Sequence, residues 1–376
     1  MVHNHRPKAF EHILFICVIT LLALGLVMVT SASIPITQRY LVPPLYFAIN
    51  QFTYAILGLS LMIGVSFIPM QLLYRFSGMF LFVSIVLLIL VLIPGVAKTV
   101  NGSSRWLILG PISVQASEIV KLGSIIYLGG YLYRRADNLN NNLLSFFIPL
   151  FFLVVLSVLL LLEPDFGATV VLGAIFMGML LIAGVPWSRF LLLFPVIISA
   201  FGSLIYFSPY RMQRLLSFVN PWENQFDSGY QLVQSLIAIG RGGLWGNGLG
   251  GSIQKLFYLP EPHTDFIFAV LAEELGMFGA LGLIALFAIL FFRIYKVASA
   301  AANNKDFFSS YITVGILIWL VAQTFINIAV NMGMLPTKGI SLPFISFGGS
   351  NLLVNCIAIG VVLRVNFETR MKMLGD

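Results

Sequence analysis

Long apolar runs with almost no charge recur along the whole chain and leave it few folds to choose from. Windows near 11–31, 47–68, 75–95, 114–133, 144–162, 168–184, 188–207, 265–292, 308–331 and 348–365 each approach the roughly 20 apolar residues that cross about 30 Å of hydrocarbon. Hydrophobic residues make up 59 % of the 376 and charged residues 9 %, with a mean hydropathy of +0.98. A soluble domain carries about 25 % charge, so this chain could not coat a water-facing globule. Inside lipid only helices and closed barrels satisfy their own backbone, and runs of this length read as helices. The expected fold is all-α and polytopic, a single integral membrane domain over 1–376. It has ten transmembrane helices, with one large extracytoplasmic loop, 208–264, between the seventh and eighth. The first run follows a short basic head (Arg6, Lys8) but exceeds the 7–15 apolar residues of a cleavable signal, so it reads as a retained anchor.

Basic residues orient the bundle. With a cytoplasmic N-terminus, twelve of the 21 Lys and Arg fall on cytoplasmic segments, whereas the short outer loops hold four: Arg39, Lys98, Arg105 and Lys338. Both termini are then cytoplasmic and 208–264 faces outward. That placement accounts for the net charge of +7 without any nucleic-acid partner. The two cysteines, Cys17 and Cys356, lie in separate apolar runs and suggest neither a disulfide framework nor a zinc site. Loop 208–264 carries Trp222, Tyr230, Trp245, Phe257 and Tyr258 among its glycines, so it should fold onto the outer membrane face. A G-x-G-x-x-G occurs at Gly246, Gly248 and Gly251, but without a βαβ unit or a following acidic residue it is no dinucleotide site.

Carboxylates are scarce, fourteen in all, and ionisable groups in or beside membrane spans are functional candidates by default. Asp265 stands where the long loop enters the eighth span, and either it or Thr264 is placed to cap that helix. Glu273 and Glu274 lie further in and need partners. Glu118 and Lys121, three apart, share a helix face and either pair with each other or offer positive charge to an anion. Glu163 and Asp165 occupy a tight outer turn, where solvated carboxylates are the simpler expectation.

In order along the chain stand Asn101-Gly102…Arg105-Trp106, Gly110-Pro111, Ser117-Glu118…Lys121, Pro164-Asp165-Phe166-Gly167, Pro221-Trp222 and Gly229-Tyr230-Gln231. Then follow Gly248 to Glu261, His263-Thr264-Asp265-Phe266, Glu273-Glu274-Leu275-Gly276, Leu335-Pro336-Thr337-Lys338-Gly339 and Leu342 to Ser350. Over nearly its whole length the chain resembles the SEDS family (shape, elongation, division and sporulation), the FtsW/RodA group of bacterial membrane proteins. It departs at Ala116, Glu163 and Asn351, where the family usually has Pro, Gln and Ser. The resemblance implies a peptidoglycan glycosyltransferase that polymerises lipid II at the outer face of the inner membrane. The 336–339 segment looks more like the division branch than the elongation branch. Septal localisation would follow, with a cognate class B penicillin-binding protein (the transpeptidase), other divisome proteins and membrane lipid as partners.

The chemistry such a reaction needs is modest. Pyrophosphate leaves readily, so no second carboxylic acid is required of the kind used in glycoside hydrolysis. A base for the acceptor hydroxyl and positive charge near the departing phosphates remain necessary. Asp265 fits the base by depth and side. Arg105, Lys121, Arg211, Arg214 and Lys255 could supply charge, as could a divalent cation (Mg2+ or Mn2+) held by phosphate oxygens; no firm cofactor or protein metal site is implied. Glu118, Asp165, His263 and Lys338 complete the expected substrate-binding set. Rival readings are a lipid II flippase or transporter, a non-catalytic divisome scaffold, and the elongation-type role. The charge asymmetry predicts that single cysteines placed in 208–264 react with an impermeant thiol reagent in intact spheroplasts, while those at 298–304 stay unlabelled until lysis.

Overall fold

The computed structural model describes residues 11–100, 103–109, 112–136, 139 and 142–375. Every one of the ten apolar runs is helical: α1 (His12–Tyr40), α2 (Tyr46–Val65), α4 (Ser77–Leu92), α5 (Ala116–Arg135), α6 (Leu143–Leu162), α7 (Phe166–Ile182), α8 (Trp187–Tyr206), α11 (Ile267–Asn303), α12 (Phe307–Asn331) and α13 (Gly349–Leu374). A short α3 (Met70–Arg75) precedes α4. Six of these helices (α1, α2, α6, α11, α12 and α13) are long and apolar enough to cross a membrane, and α4 and α7 are shorter apolar helices. The chain is a multi-pass membrane protein.

Two features depart from a purely helical bundle with one loop. The first is a three-stranded antiparallel sheet, β1 (Ala97–Val100), β2 (Ser103–Leu109) and β3 (Ile112–Gln115), in which Lys98 pairs with Trp106 and Leu107 with Val114. The sequence signals were present in the Asn-Gly and Gly-Pro pairs that separate the strands, although those four residues lie outside the described set. The second is that 208–264 does not simply cover one face. It contains α9 (Pro209–Val219) and α10 (Tyr230–Gly242), and α10 buries Leu232, Val233, Ser235 and Ala238 as it packs against α11 and α12.

The core runs through α5, α12 and α13, whose small residues bring backbones together as membrane helices require. At Gly360 a Cβ would lie 2.5 Å from the Met62 carbonyl oxygen, so α13 and α2 could not approach this closely with any other residue. At the end remote from the sheet, Glu11 joins three helices. It is 4 % exposed and binds Arg293 of α11 and Arg370 of α13, the latter at 2.7 Å.

Helix α11 breaks at Gly276, which takes φ +67°, a left-handed value that side chains other than glycine's rarely tolerate. A break inside an apolar helix strands backbone groups, and each must be satisfied within the protein. Segment 243–248 does this. The carbonyls of Glu273 and Glu274 accept the amides of Asn247 and Gly248, both at 3.0 Å, while the amide of Met277 donates to Gly243 O at 2.9 Å. Side chains secure the same junction. Glu273 accepts from Ser252 Oγ at 2.5 Å and from the amides of Ile253 and Gln254. Glu274 takes Lys255 Nζ at 2.7 Å and Ser31 Oγ at 2.6 Å, which ties α1, α11 and the long segment at one point. Lys255 and Glu274 are both buried, so removing one partner leaves an uncompensated charge. Lys255→Met should therefore cost about 3–5 kcal/mol, and a second change, Glu274→Met, should recover most of it; thermal unfolding of the purified variants measures both.

Candidate active site

The turn between α6 and α7 is built from its caps. The Asp165 side chain accepts the Ala168 amide at 3.1 Å through Oδ1, N-capping α7, and its other oxygen receives Gln115 Nε2 at 3.4 Å. Arg105, on β2, donates from Nε to Glu163 O at 3.1 Å and from Nη2 to Pro164 O at 2.5 Å, so the sheet grips this turn by its carbonyls. The solvated pair expected here is in fact buried, Glu163 at 1 % exposure and Asp165 at 5 %. The overlying sheet closes the turn off from water. Neither carboxyl oxygen of Glu163 has a hydrogen-bond partner among the described residues. Burial, and then the negative charge of Asp165, push its pKa up to about 8 against the pull of Arg105, so Glu163 is mostly protonated at neutral pH.

Asp265 lies across from this turn. The sequence placed Thr264 or Asp265 as the cap of the helix that follows, and the structure assigns that work elsewhere. The N-cap is Phe266, which supplies no side-chain bond, and the Ala269 amide is shared between Phe266 O at 3.1 Å and Asn331 Oδ1 of α12 at 3.2 Å. Two amide side chains of α12 hold the Asp265 main chain instead: its carbonyl accepts Asn327 Nδ2 at 2.9 Å and Asn331 Nδ2 at 3.0 Å. The carboxylate is thereby left with no hydrogen bond among the described residues, and the residue remains partly exposed. Burial raises its pKa to about 7, assisted by Glu261 and opposed by Arg105 and Arg214. Gly339 packs on it so tightly that a Cβ would sit 3.0 Å from Asp265 Oδ2.

Segment 332–348, between α12 and α13, completes the cluster. Arg214 of α9 donates to Thr337 O at 3.1 Å, and Lys338 Nζ lies 3.8 Å from the centre of the Phe166 ring. One end of the bundle thus gathers Asp265, Arg105, Arg214, Lys338 and the 163–166 turn from five separate stretches of chain. A partly exposed carboxylate with an elevated pKa amid cationic side chains is suited to accept a proton beside an anionic ligand.

Other residues expected at the site have different neighbours. Lys121 is buried with Glu118 at 2.9 Å, donates from Nζ to Gln323 Oε1 at 2.8 Å and lies 5.0 Å from the Trp319 ring centre. Glu118 also receives Asn351 Nδ2 at 3.0 Å, so this pair is neutralised in the helix core, one turn of α12 from the amide that holds Asp265. Lys255 is committed to Glu274. His263 sits between the rings of Phe47 and Phe347, at 4.9 and 5.6 Å, where burial lowers its pKa to about 4 and keeps it neutral. Arg211 lies on α9, and its side chain is outside the described residues. Among the described residues no three His, Cys, Asp or Glu side chains converge closely enough to hold a metal ion. Sequence reading missed Gln323, Asn327 and Asn331. Their signal was three amides spaced i, i+4, i+8 in an otherwise apolar run.

A family model described as a cell cycle protein, covering FtsW, RodA and SpoVE, matches residues 11–371. The chain belongs to this FtsW/RodA/SpoVE family. It is 50 % identical over 361 residues to a probable peptidoglycan glycosyltransferase FtsW of Coxiella burnetii, covering 96 % of this chain and 97 % of that one. A probable peptidoglycan glycosyltransferase FtsW of Legionella pneumophila is 48 % identical over 98 % of this chain and 94 % of its own. Among solved structures, a chain of a peptidoglycan synthase complex that coordinates polymerization and crosslinking superposes with a TM-score of 0.81 at 26 % identity, covering 96 % of this chain and 98 % of that one. The rod shape determining protein RodA of Thermus thermophilus superposes with a TM-score of 0.70 at 25 % identity, covering 96 % and 97 %.

The sign of the Asp265 shift sets a pH dependence for this family member. A carboxyl group raised to about 7 is protonated below that pH and becomes a base above it. A reaction that uses Asp265 as its base should therefore speed up through pH 7. Glu261→Gln removes a repelling charge and should move the rise to lower pH, whereas Arg214→Gln should move it higher; kcat/KM measured from pH 5.5 to 8.5 reads both.

Proposed function

We propose that the chain polymerises lipid II into glycan strands at the outer face of the inner membrane, with Asp265 as the base. The enzyme class is that of its relatives, peptidoglycan glycosyltransferases of the division type. The observation that carries the site assignment is Asp265 at the mouth of α11, a partly exposed residue whose carboxylate has no hydrogen bond among the described residues, with Arg105 and Arg214 close enough to perturb it. A sugar hydroxyl is a poor nucleophile at neutral pH. Asp265 takes its proton as the hydroxyl oxygen bonds to the donor's anomeric carbon. The bond from that carbon to phosphate breaks, and the polyprenyl diphosphate leaves with the electron pair. Attack opposite the leaving group inverts the α-linked donor into a β-linked glycan. Arg105, Arg214 and Lys338 are assigned to the departing diphosphate, where negative charge grows. Arg211 and Asp165, on the same end of the chain's fold, are assigned to the substrate's surroundings. Glu118, Lys121, Lys255 and His263 contribute by holding the helices that form the site. A divalent cation held by the substrate's own phosphate oxygens would add to the positive charge at the diphosphate without needing a protein ligand set.

This reading takes ten crossings, both termini in the cytoplasm and the site end outside, supported by the distribution of basic residues. It also takes a crosslinking partner of the class B penicillin-binding type at the division septum, supported by the likeness to a chain of a peptidoglycan synthase complex. A flippase is disfavoured by where the ionisable groups stand: the Asp265 cluster is at the bundle end, and the core pair of Glu118 and Lys121 is already neutralised.

Because Asn331 and not Asp265 serves the start of α11, the Asp265 side chain is dispensable for that helix end. Asp265→Asn and Asp265→Ala should both insert, fold and bind the transpeptidase, yet lose polymerisation by about 10²–10⁴-fold. Labelled lipid II and the purified proteins measure it. Translocation of lipid II in vesicles without polymer would favour the transporter reading, and near wild-type polymerisation by Asp265→Asn would remove the base from this residue.

A further inference from the structure

Helix α12 carries Gln323, Asn327 and Asn331 at one-turn intervals, and their side-chain amides make a continuous set of bonds to two other parts of the chain. Gln323 Nε2 donates to Ser341 O at 3.0 Å. Asn327 Nδ2 donates both to Ile340 O at 2.6 Å and to Asp265 O at 2.9 Å. Asn331 Nδ2 donates to Asp265 O and to Asn327 O, while its oxygen receives the Ala269 amide. All three are buried, at 1, 2 and 0 % exposure. A single side chain, Asn327, therefore bonds at once to the residue that precedes α11 and to the segment carrying Gly339.

The consequence is geometric. Gly339 stands in van der Waals range of the Asp265 carboxylate, and Asn327 bonds the residue next to Gly339 as well as the carbonyl of Asp265 itself. At the carboxylate itself the separation from the 337–341 backbone is held by this amide group, while further along Ser346 Oγ donates to Thr264 O at 2.6 Å and the Phe347 amide to His263 O at 2.9 Å. Arg214 and Lys338 reach the cluster through that same segment. Asn331 adds direction. Its oxygen shares the Ala269 amide with Phe266 O, so the Asp265 side chain is not called on to cap α11.

We propose that Asn327 and Asn331 are positioning residues for the transfer reaction, forming an amide ladder that holds Asp265 and the 337–341 segment in fixed register and leaves the carboxylate unbonded. This rests on Asp265 being the base. Simple helix–helix adhesion would be the alternative use of such amides, worth about 1 kcal/mol each and indifferent to the site.

The test uses the full-length protein with labelled lipid II and amide hydrogen exchange. Asn327→Leu keeps the branched shape and removes both donors. Asn331→Asp keeps the acceptor for the Ala269 amide and loses the donor to Asp265 O, so it covers the case in which the leucine variant does not fold. The ladder predicts a fall in kcat of about 10–10²-fold, as misplacement by an ångström produces, with KM within about threefold of wild type. Exchange should quicken in peptides covering 262–269 and 336–346 and nowhere else. A kcat within twofold of wild type, a loss confined to KM, or quickened exchange throughout the bundle would overturn it. If Asp265→Asn proves active, the base assignment fails by itself, and the ladder then stands or falls on the exchange pattern.

Discussion

Inside a chain this apolar, every polar group that the helices bury has to find its partner within the protein, because lipid offers none. The arrangement around α11 follows from that demand. Its break at Gly276 exposes four backbone groups, and the 243–248 segment covers them. Glu273 and Glu274 arrive at the same depth, and Ser252, Lys255 and Ser31 meet them. The long segment between α8 and α11 is consequently a structural part of the bundle. Its anchoring delivers the stretch 261–266 to a defined place at the helix mouth.

The same demand separates carboxylates that look alike in sequence. Glu118, Glu273 and Glu274 are matched by cations or donors and sit at 6 % exposure or less. Asp165 spends its oxygens on a helix cap and on Gln115. Glu163 is buried with no hydrogen-bond partner among the described residues and answers by holding a proton. Asp265 alone among them combines partial exposure with an unbonded carboxylate and nearby guanidinium groups. A base needs an available lone pair, an accessible proton donor and a pKa near working pH. Under the role proposed for Asp265, the environment more than the residue type singles out this aspartate.

Much of the architecture is legible in the order of residues. Ten apolar runs became ten helices because run length and helix rise are tied to one another, and no tertiary contact can change that relation. Asp265 could be singled out because a lone acidic residue at the edge of a span has few cheap explanations. The Glu118–Lys121 pair was readable from a spacing of three. The sheet at 97–115 and the helices α9 and α10 were harder to see, since short elements without a long period leave weak signals beside the strong ones of the spans.

What remained hidden depended on which strangers in sequence become neighbours in space. Nothing local says that Asn331 would cap a helix beginning 64 residues earlier, that Arg105 would grip the 163–164 carbonyls, or that Lys255 would be consumed by Glu274. Composition and periodicity determined that the chain lies in a membrane as helices, and a few charged residues marked where chemistry belongs. Only the tertiary structure decided which charges are spent and which stay available, because hydrogen bonds and desolvation act over a few ångströms and are set by long-range packing.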